Sequence, residues 1–288
     1  MADTVEMQDI RGLDIDKFVK GFGKTNYVFK GLVNVSSTSA DHIRWYQRTA
    51  GDRTATAPSV VANVSPLSIF PTLEESWTRN TSYVKKYAAE GFISMEDMKS
   101  SDIDVVTSTL GMLTRAVIKQ VDSDIYNVLT ENQSPTNIGT GAATGNGWDD
   151  TTNGNPILDI MAAKQAIAEE DYDAENGIIA MDPKNHKDLL NYIITIKGSS
   201  IPAFSSEKVR NGVVMNILGM GVVVSNNVVA DSVYVGKPDV SCTWRSHTDT
   251  TSAAIEEKGI GTKFRVWELG IGTLTDPKAS YLITDTNA

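Results

Sequence analysis

The sequence predicts an α+β chain, and three observations carry that prediction. Apolar residues recur at Ile103, Val106, Leu110, Leu113, Val117, Val121, Ile125 and Val128, with spacings that alternate between three and four. That is the period of one long helix. From about residue 213 onward the chain turns to strand-like stretches, with Phe264/Val266 and Trp267/Leu269/Ile271 alternating. Between Gln47 and Ser59, thirteen residues pass without a large apolar side chain. Such a stretch cannot bury a core of its own.

Residues 1–31 are polar, then locally basic. Lys17, Lys20, Lys24 and Lys30 are interleaved with glycines and with Phe18, Phe22, Tyr27 and Phe29. The glycines argue against a helix, so an arm lying across another surface is expected. Ile43, Trp45 and Tyr46 read as a strand leading into the stretch without a core, which needs a partner because a lone two-stranded ribbon is marginal in water. Pro66 and Pro71 break helix, and Trp77, Tyr83, Val84 and Tyr87 read as a strand or short helix returning to the body.

The long helix is expected over 102–131, with Ser101 as its cap and Asp102 and Asp104 in the first turn, where the dipole favours acids. Only Gly111 interrupts it. At about 1.5 Å per residue it is a rod of roughly 45 Å. Residues 132–155 are turn-rich. Asn155 and Pro156 then open a helix, with Ile157, Ile160, Met161, Lys164 and Ile167 expected on one face. "GIIAMD" (177–182) reads as a short buried strand. Asp182-Pro183 opens a further helix through Leu189, Leu190, Ile193 and Ile194, and residues 198–212 read as loop. No repeat at a fixed period is visible.

Composition narrows the function. The net charge of −10 makes the surface as a whole unsuited to nucleic acid, so any such contact is local or weak. The single cysteine, Cys242, leaves no intrachain disulfide and no cysteine zinc site, and a small buried residue is its expected role. The N-terminus does not read as a signal peptide, and no apolar run approaches the roughly 18–20 residues that span a bilayer. A soluble protein made in a cytoplasm is expected.

Candidate chemistry thins out on inspection. "NILGMGVVVSNN" (216–227) holds Gly219 and Gly221, but a dinucleotide fingerprint needs a third glycine where Val224 stands and a helix where "VVVSNN" continues. A turn between strands is the expectation. Asp171, Asp173, Glu175 and Asp182 match the first, third, fifth and twelfth positions of a calcium loop, yet Asn176 replaces the glycine at the sixth and a strand follows. A solvated helix end is expected instead. His42, His186 and His247 form no metal pattern, and His186, beside Lys184 and Lys187, is expected to be solvated. No nucleophile, base and orienter assemble, so no enzyme, cofactor or metal is expected.

The order of elements is itself a pattern. "ISMEDMKSSDIDVVTSTLGMLTRAVIKQVDSDIYNVL", "NPILDIMAAKQAI" followed by "GIIAMDPKNHKDLL", "NILGMGVVVSNNV" and "FRVWELGIGTLTDPKASYLI" follow one another across most of residues 40–285. In that order they resemble the major capsid proteins of tailed double-stranded DNA viruses, bacteriophage or archaeal, with the HK97 fold.

The resemblance implies an N-arm at 1–35, an E-loop with its return at 36–98, and a P-domain with the long helix at 99–154. It implies an A-domain at 155–240, then P-domain strands and a return to the A-domain at 241–288. It implies a shell subunit that assembles into pentamers and hexamers of an icosahedral capsid around packaged double-stranded DNA, which it contacts weakly and without sequence preference. Phe22, Phe29, Trp45, Arg48, Arg53, Lys20 and Lys24 are the expected inter-subunit contacts. A portal, a separate scaffolding protein and a decoration protein are the further partners, with no membrane. The location is the virion, assembled in the host cytoplasm. Some relatives weld subunits through a loop-tip lysine; the tip "RTAGDRTATAPSV" has none. The alternative within the same fold is an encapsulin-like compartment shell holding a protein cargo.

Overall fold

A computed structural model of the chain describes residues 19, 27–48, 63–69, 77–100, 104–130, 138–196 and 216–287. Helices and strands are mixed, as expected. The chain divides into two compact units. One comprises residues 1–43, 81–125 and 244–272, and the other residues 44–80, 126–243 and 273–288.

In chain order the elements begin with β1 (Asn34–Ser37), β2 (His42–Arg48), β3 (Trp77–Tyr83), β4 (Lys85–Ser94), α1 (Met95–Ser100) and α2 (Val105–Thr130). Next come β5 (Gly139–Ala142), α3 (Pro156–Glu169), β6 (Ile178–Met181) and α4 (Pro183–Asn191). The chain ends with β7 (Asn216–Ile217), β8 (Met220–Val224), β9 (Ser232–Gly236), α5 (Pro238–Ser241), β10 (Cys242–Glu257), β11 (Gly261–Leu274) and β12 (Ser280–Thr284).

The first unit is built on the sheet β1-β10-β11-β4. β4 runs antiparallel to β11, from Gly261 opposite Ser94 to Gly270 opposite Lys85. α2 supplies the apolar stripe that the period predicts: Leu110, Leu113, Val117, Val121 and Ile125 are all buried. Gly91 of β4 lets the strand come close, since a Cβ there would lie 3.1 Å from the Leu113 and Thr109 side chains. The helix starts later than expected. Asp104 is its cap, accepting from the Thr107 N–H at 3.1 Å. The Ser101 cap, with Asp102 and Ile103, lies outside the described residues.

The second unit is built on the sheet β5-β12-β9-β6-β8-β7. β6 pairs parallel with β8 and antiparallel with β9, while β12 pairs parallel with β5. Its core joins Ile160 and Ile167 of α3 to Ile179, Met181, Leu189, Ile193, Met220, Val233, Val235 and Ile283. Asn155 caps α3 through the Leu158 N–H, and Asp182 caps α4 through the Asn185 N–H, both with proline in the first turn, as the sequence predicts.

One expected face is corrected. On α3 the buried stripe is Pro156, Asp159, Ile160, Ala163 and Ile167. Met161 is 51% exposed because it lies off that three-and-four spacing. Lys164 is not core either, and its amine reaches the Leu218 carbonyl at 3.1 Å. After α4 the backbone widens into a π-type turn over Tyr192–Ile196. The extra residue in that turn rotates Ile194 off the apolar stripe into solvent.

Candidate assembly site

The geometry answers the smaller candidates first. Leu218 and Gly219 both have positive φ, 52° and 83°, and join β7 to β8 as a two-residue hairpin turn. The G-x-G is therefore strand punctuation. In the acidic stretch, Asp182 is occupied as a helix cap and Asp173 pairs with Lys237 at 3.5 Å. The Glu175 N–H, aided by that lysine, holds the Asp173 carboxyl below the usual carboxylate range. Among the described residues no three His, Cys, Asp or Glu side chains gather to hold a metal, and no helix is long and apolar enough to cross a membrane. Burial pushes the Cys242 thiol up to about 12, so it is a packed and unreactive group. His186 is half-buried rather than solvated, and burial pulls its imidazole below the usual range.

The ribbon exposes three aromatic rings, and Leu67, Ile69 and Met112 are exposed elsewhere in the chain. β2 and β3 form their own two-stranded sheet. Of their fourteen residues only Gln47 is buried, and it takes a hydrogen bond from Asn80 at 2.8 Å. Tyr46 is 58% exposed, Trp77 46% and Tyr83 72%. The ribbon is pinned at specific points. Trp45 donates its indole N–H to the Leu274 carbonyl at 3.0 Å. Arg48 pairs with Asp276 at 3.5 Å and lies 5.1 Å from the Trp77 ring centre. His42 packs on Tyr83 with ring centres 4.8 Å apart.

Residues 27–31 lie against the first unit's sheet and helix through two buried carboxylates. Glu268 is fully buried on β11. It accepts from the Lys30 amine at 2.6 Å, from the Thr250 hydroxyl at 3.0 Å and from the Tyr27 phenol. Asp122 of α2 accepts from the backbone N–H groups of Val28 at 2.8 Å and Lys30 at 3.0 Å. Burial raises the Asp122 carboxyl above the usual range, although those N–H groups pull the other way. Burial, with the charge of Glu268, raises the Tyr27 phenol.

The expected contact residues thus fall into three groups. Phe29 has none of its surface exposed, so its ring is core of its own chain and cannot meet a neighbour; Asp122 draws this segment against α2. Trp45 and Arg48 lie on the ribbon, each with part of its side chain already engaged. Phe22, Lys20, Lys24 and Arg53 lie outside the described residues. Sequence reasoning missed Glu268, whose signal was a lone acid at a buried position of the alternating strand around Val266. It also missed Asp122, which shares the apolar face of α2 with Val121 and Ile125.

The described residues thus hold an aromatic ribbon that is largely exposed and a segment at 27–31 held by two buried carboxylates. A family model described as phage capsid protein matches residues 79–283, and the chain belongs to that family. No curated protein matches the chain. Among solved structures, the capsid of cyanophage P-SCSP1u is similar at 15% identity and TM-score 0.66, over 91% of this chain and 89% of that one. A structure from Mycobacterium phage Che8 is similar at 14% identity and TM-score 0.64, over 91% and 93%. A virus-like particle from Pyrococcus furiosus is similar at 13% identity and TM-score 0.63, over 95% and 99%. The fold is the HK97-like capsid fold, and the protein is a structural capsid shell protein.

Proposed function

We propose that the chain is the major subunit of an icosahedral virion, assembling into pentamers and hexamers around packaged double-stranded DNA. The observation that carries this reading is the ribbon. A sheet of two strands with one buried residue in fourteen gains little from its own chain. A neighbouring subunit over Tyr46, Trp77 and Tyr83 supplies the missing burial. In this reading residues 1–35 are the N-arm, 36–98 the E-loop and its return, and 99–154 the P-domain with α2. Residues 155–240 are the A-domain, and 241–288 the long strands and the return. Trp45, Arg48 and Arg53 on the loop, with Phe22, Lys20 and Lys24 on the arm, are its inter-subunit contacts. The net charge of −10 keeps DNA contact weak and local. The role is architectural, with no catalytic step. Portal, scaffolding and decoration proteins complete the set of partners, and assembly takes place in the host cytoplasm.

The similarity to the Pyrococcus furiosus virus-like particle over nearly the full length of both chains supports a second reading, a compartment shell around a protein cargo. One experiment separates the two. Particles are purified from cells carrying the complete source genome, examined by electron microscopy, and their contents extracted. Nuclease-protected double-stranded DNA supports the virion, and a stoichiometric protein without DNA supports the compartment. Compact monomers under all conditions would overturn both.

A further inference from the structure

An asparagine followed by glycine is a chemically soft point in a chain. The glycine has no side chain to hinder attack of its backbone nitrogen on the asparagine side-chain carbonyl. The sequence holds four such pairs, at Asn146, Asn153, Asn176 and Asn211. The first three lie among the described residues, and Asn211 lies outside them. All three asparagines are exposed and all three following glycines are buried, so accessibility does not separate them.

Hydrogen bonding does. The Gly154 N–H donates to the Asp150 carbonyl at 2.9 Å, and the Asn153 carboxamide donates to the Asp150 side chain at 3.0 Å. Both reacting groups are committed there. The Gly177 N–H donates to the Ala174 carbonyl at 3.3 Å. At Asn146 neither the carboxamide nor the Gly147 N–H has a partner among the described residues. The neighbouring positions are tied down instead. Asp159 of α3 accepts from the Thr144 N–H at 3.1 Å and from its hydroxyl through one oxygen, and from the Trp148 indole at 2.8 Å through the other. The Trp148 N–H goes to the Thr286 carbonyl at 2.7 Å. Between these ties stand Gly145 and Gly147, with φ of 77° and 106°. Glycine on both sides gives Asn146 the backbone freedom that ring closure requires.

We propose that Asn146 is a site of spontaneous covalent modification, the point at which this chain deamidates while folded. The Gly147 nitrogen attacks the Asn146 side-chain carbonyl carbon. The new carbon–nitrogen bond closes a succinimide ring, and the glycine proton leaves with the side-chain nitrogen as ammonia. Water then opens the ring. Opening at the side-chain carbonyl gives aspartate, and opening at the main-chain carbonyl gives isoaspartate. Nothing is oxidised or reduced. Either product places a new carboxylate close in sequence to Asp149 and Asp150. Isoaspartate also lengthens the main chain by one carbon between two ties that end on the same Asp159.

The test compares the folded full-length subunit with the same chain in denaturant, both incubated in mildly alkaline buffer. Peptide mass spectrometry with fragment sequencing gives the conversion rate at residues 146, 153 and 176. For each site the folded rate is divided by the denatured rate, which removes the effect of neighbouring residues. The ratio at Asn146 should be close to one. At Asn176 one hydrogen bond must open first, and the ratio should fall about tenfold. At Asn153 two must open, and the ratio should fall further. A ratio at Asn146 no greater than that at either other site overturns the proposal. So does an Asn146 that stays intact in the folded subunit while the denatured chain converts.

Discussion

Gly111 and Gly219 carry opposite expectations for the same substitution. A Cβ at either position meets nothing within 4 Å, so packing does not decide. Backbone conformation does. Gly111 lies inside α2, where alanine is the better helix former, and Gly111→Ala should stabilise the unassembled subunit by about 1 kcal/mol. Gly219 has φ of 83° in the β7–β8 turn, and Gly219→Ala should destabilise by about 1 kcal/mol. Chemical denaturation of the two variants reads both signs, and the same sign for both would contradict this account. His186 adds a dependence on pH. Burial lowers its folded-state pKa below the ordinary 6.5, so across that window the unfolded chain binds more protons. Stability from this residue is full above about pH 6.5 and falls as pH drops through the window. His186→Gln should flatten the stability curve on its acid side, measured as denaturation midpoints from pH 7.5 downward.

At the scale of elements, α2 is where sequence and structure agree most closely, for a physical reason. Its stripe is long, strictly spaced and buried from Leu110 to Ile125, so burial and periodicity reinforce one another over about four turns. Leu113→Ala should cost about 2–5 kcal/mol in the unassembled subunit, the usual range for a core leucine. Gly91→Ala presses on the same leucine from β4, so the two substitutions together should cost less than their sum. Additive costs in a double-mutant cycle would separate the strand from the helix. The caps at Asn155 and Asp182 were legible because a side-chain acceptor followed by proline is a local signal. The π-type turn after α4 was not, since nothing in "NYIITI" breaks the helical period. Met161 is expected on the face of α3 that holds Ile160 and Ile167, yet Ala163 occupies the buried position. The anchoring of residues 27–31 was legible only in pieces. Lys30 and Tyr27 stood out within the arm, but Glu268 is 238 residues from Lys30, and pairing over that separation follows from the sheet and not from any local pattern.

At the scale of the whole molecule, folding and assembly place demands on different residues, and substitutions should sort accordingly. Phe29 is wholly buried, so Phe29→Ser should unfold the subunit and reveal nothing about contacts between copies. Tyr46 is 58% exposed on β2, and Tyr46→Ser removes a ring that its own chain mostly leaves in water. Such a surface change is expected to alter subunit stability by no more than about 0.5 kcal/mol. If a neighbour covers that ring in the shell, its burial there is worth roughly 1.5–3 kcal/mol per contact. The contact repeats at every subunit, so the loss is multiplied around each ring. Deleting Gly51–Ala57, which join β2 to β3 in sequence and lie outside the described residues, should act in the same direction. Both variants should melt like wild type as free subunits and yield few or no closed shells at concentrations where the wild type assembles fully, measured by sedimentation and electron microscopy. Wild-type shells from both would mean that the ribbon's aromatics face solvent in the particle, and the contact surface would have to be sought on another part of the fold.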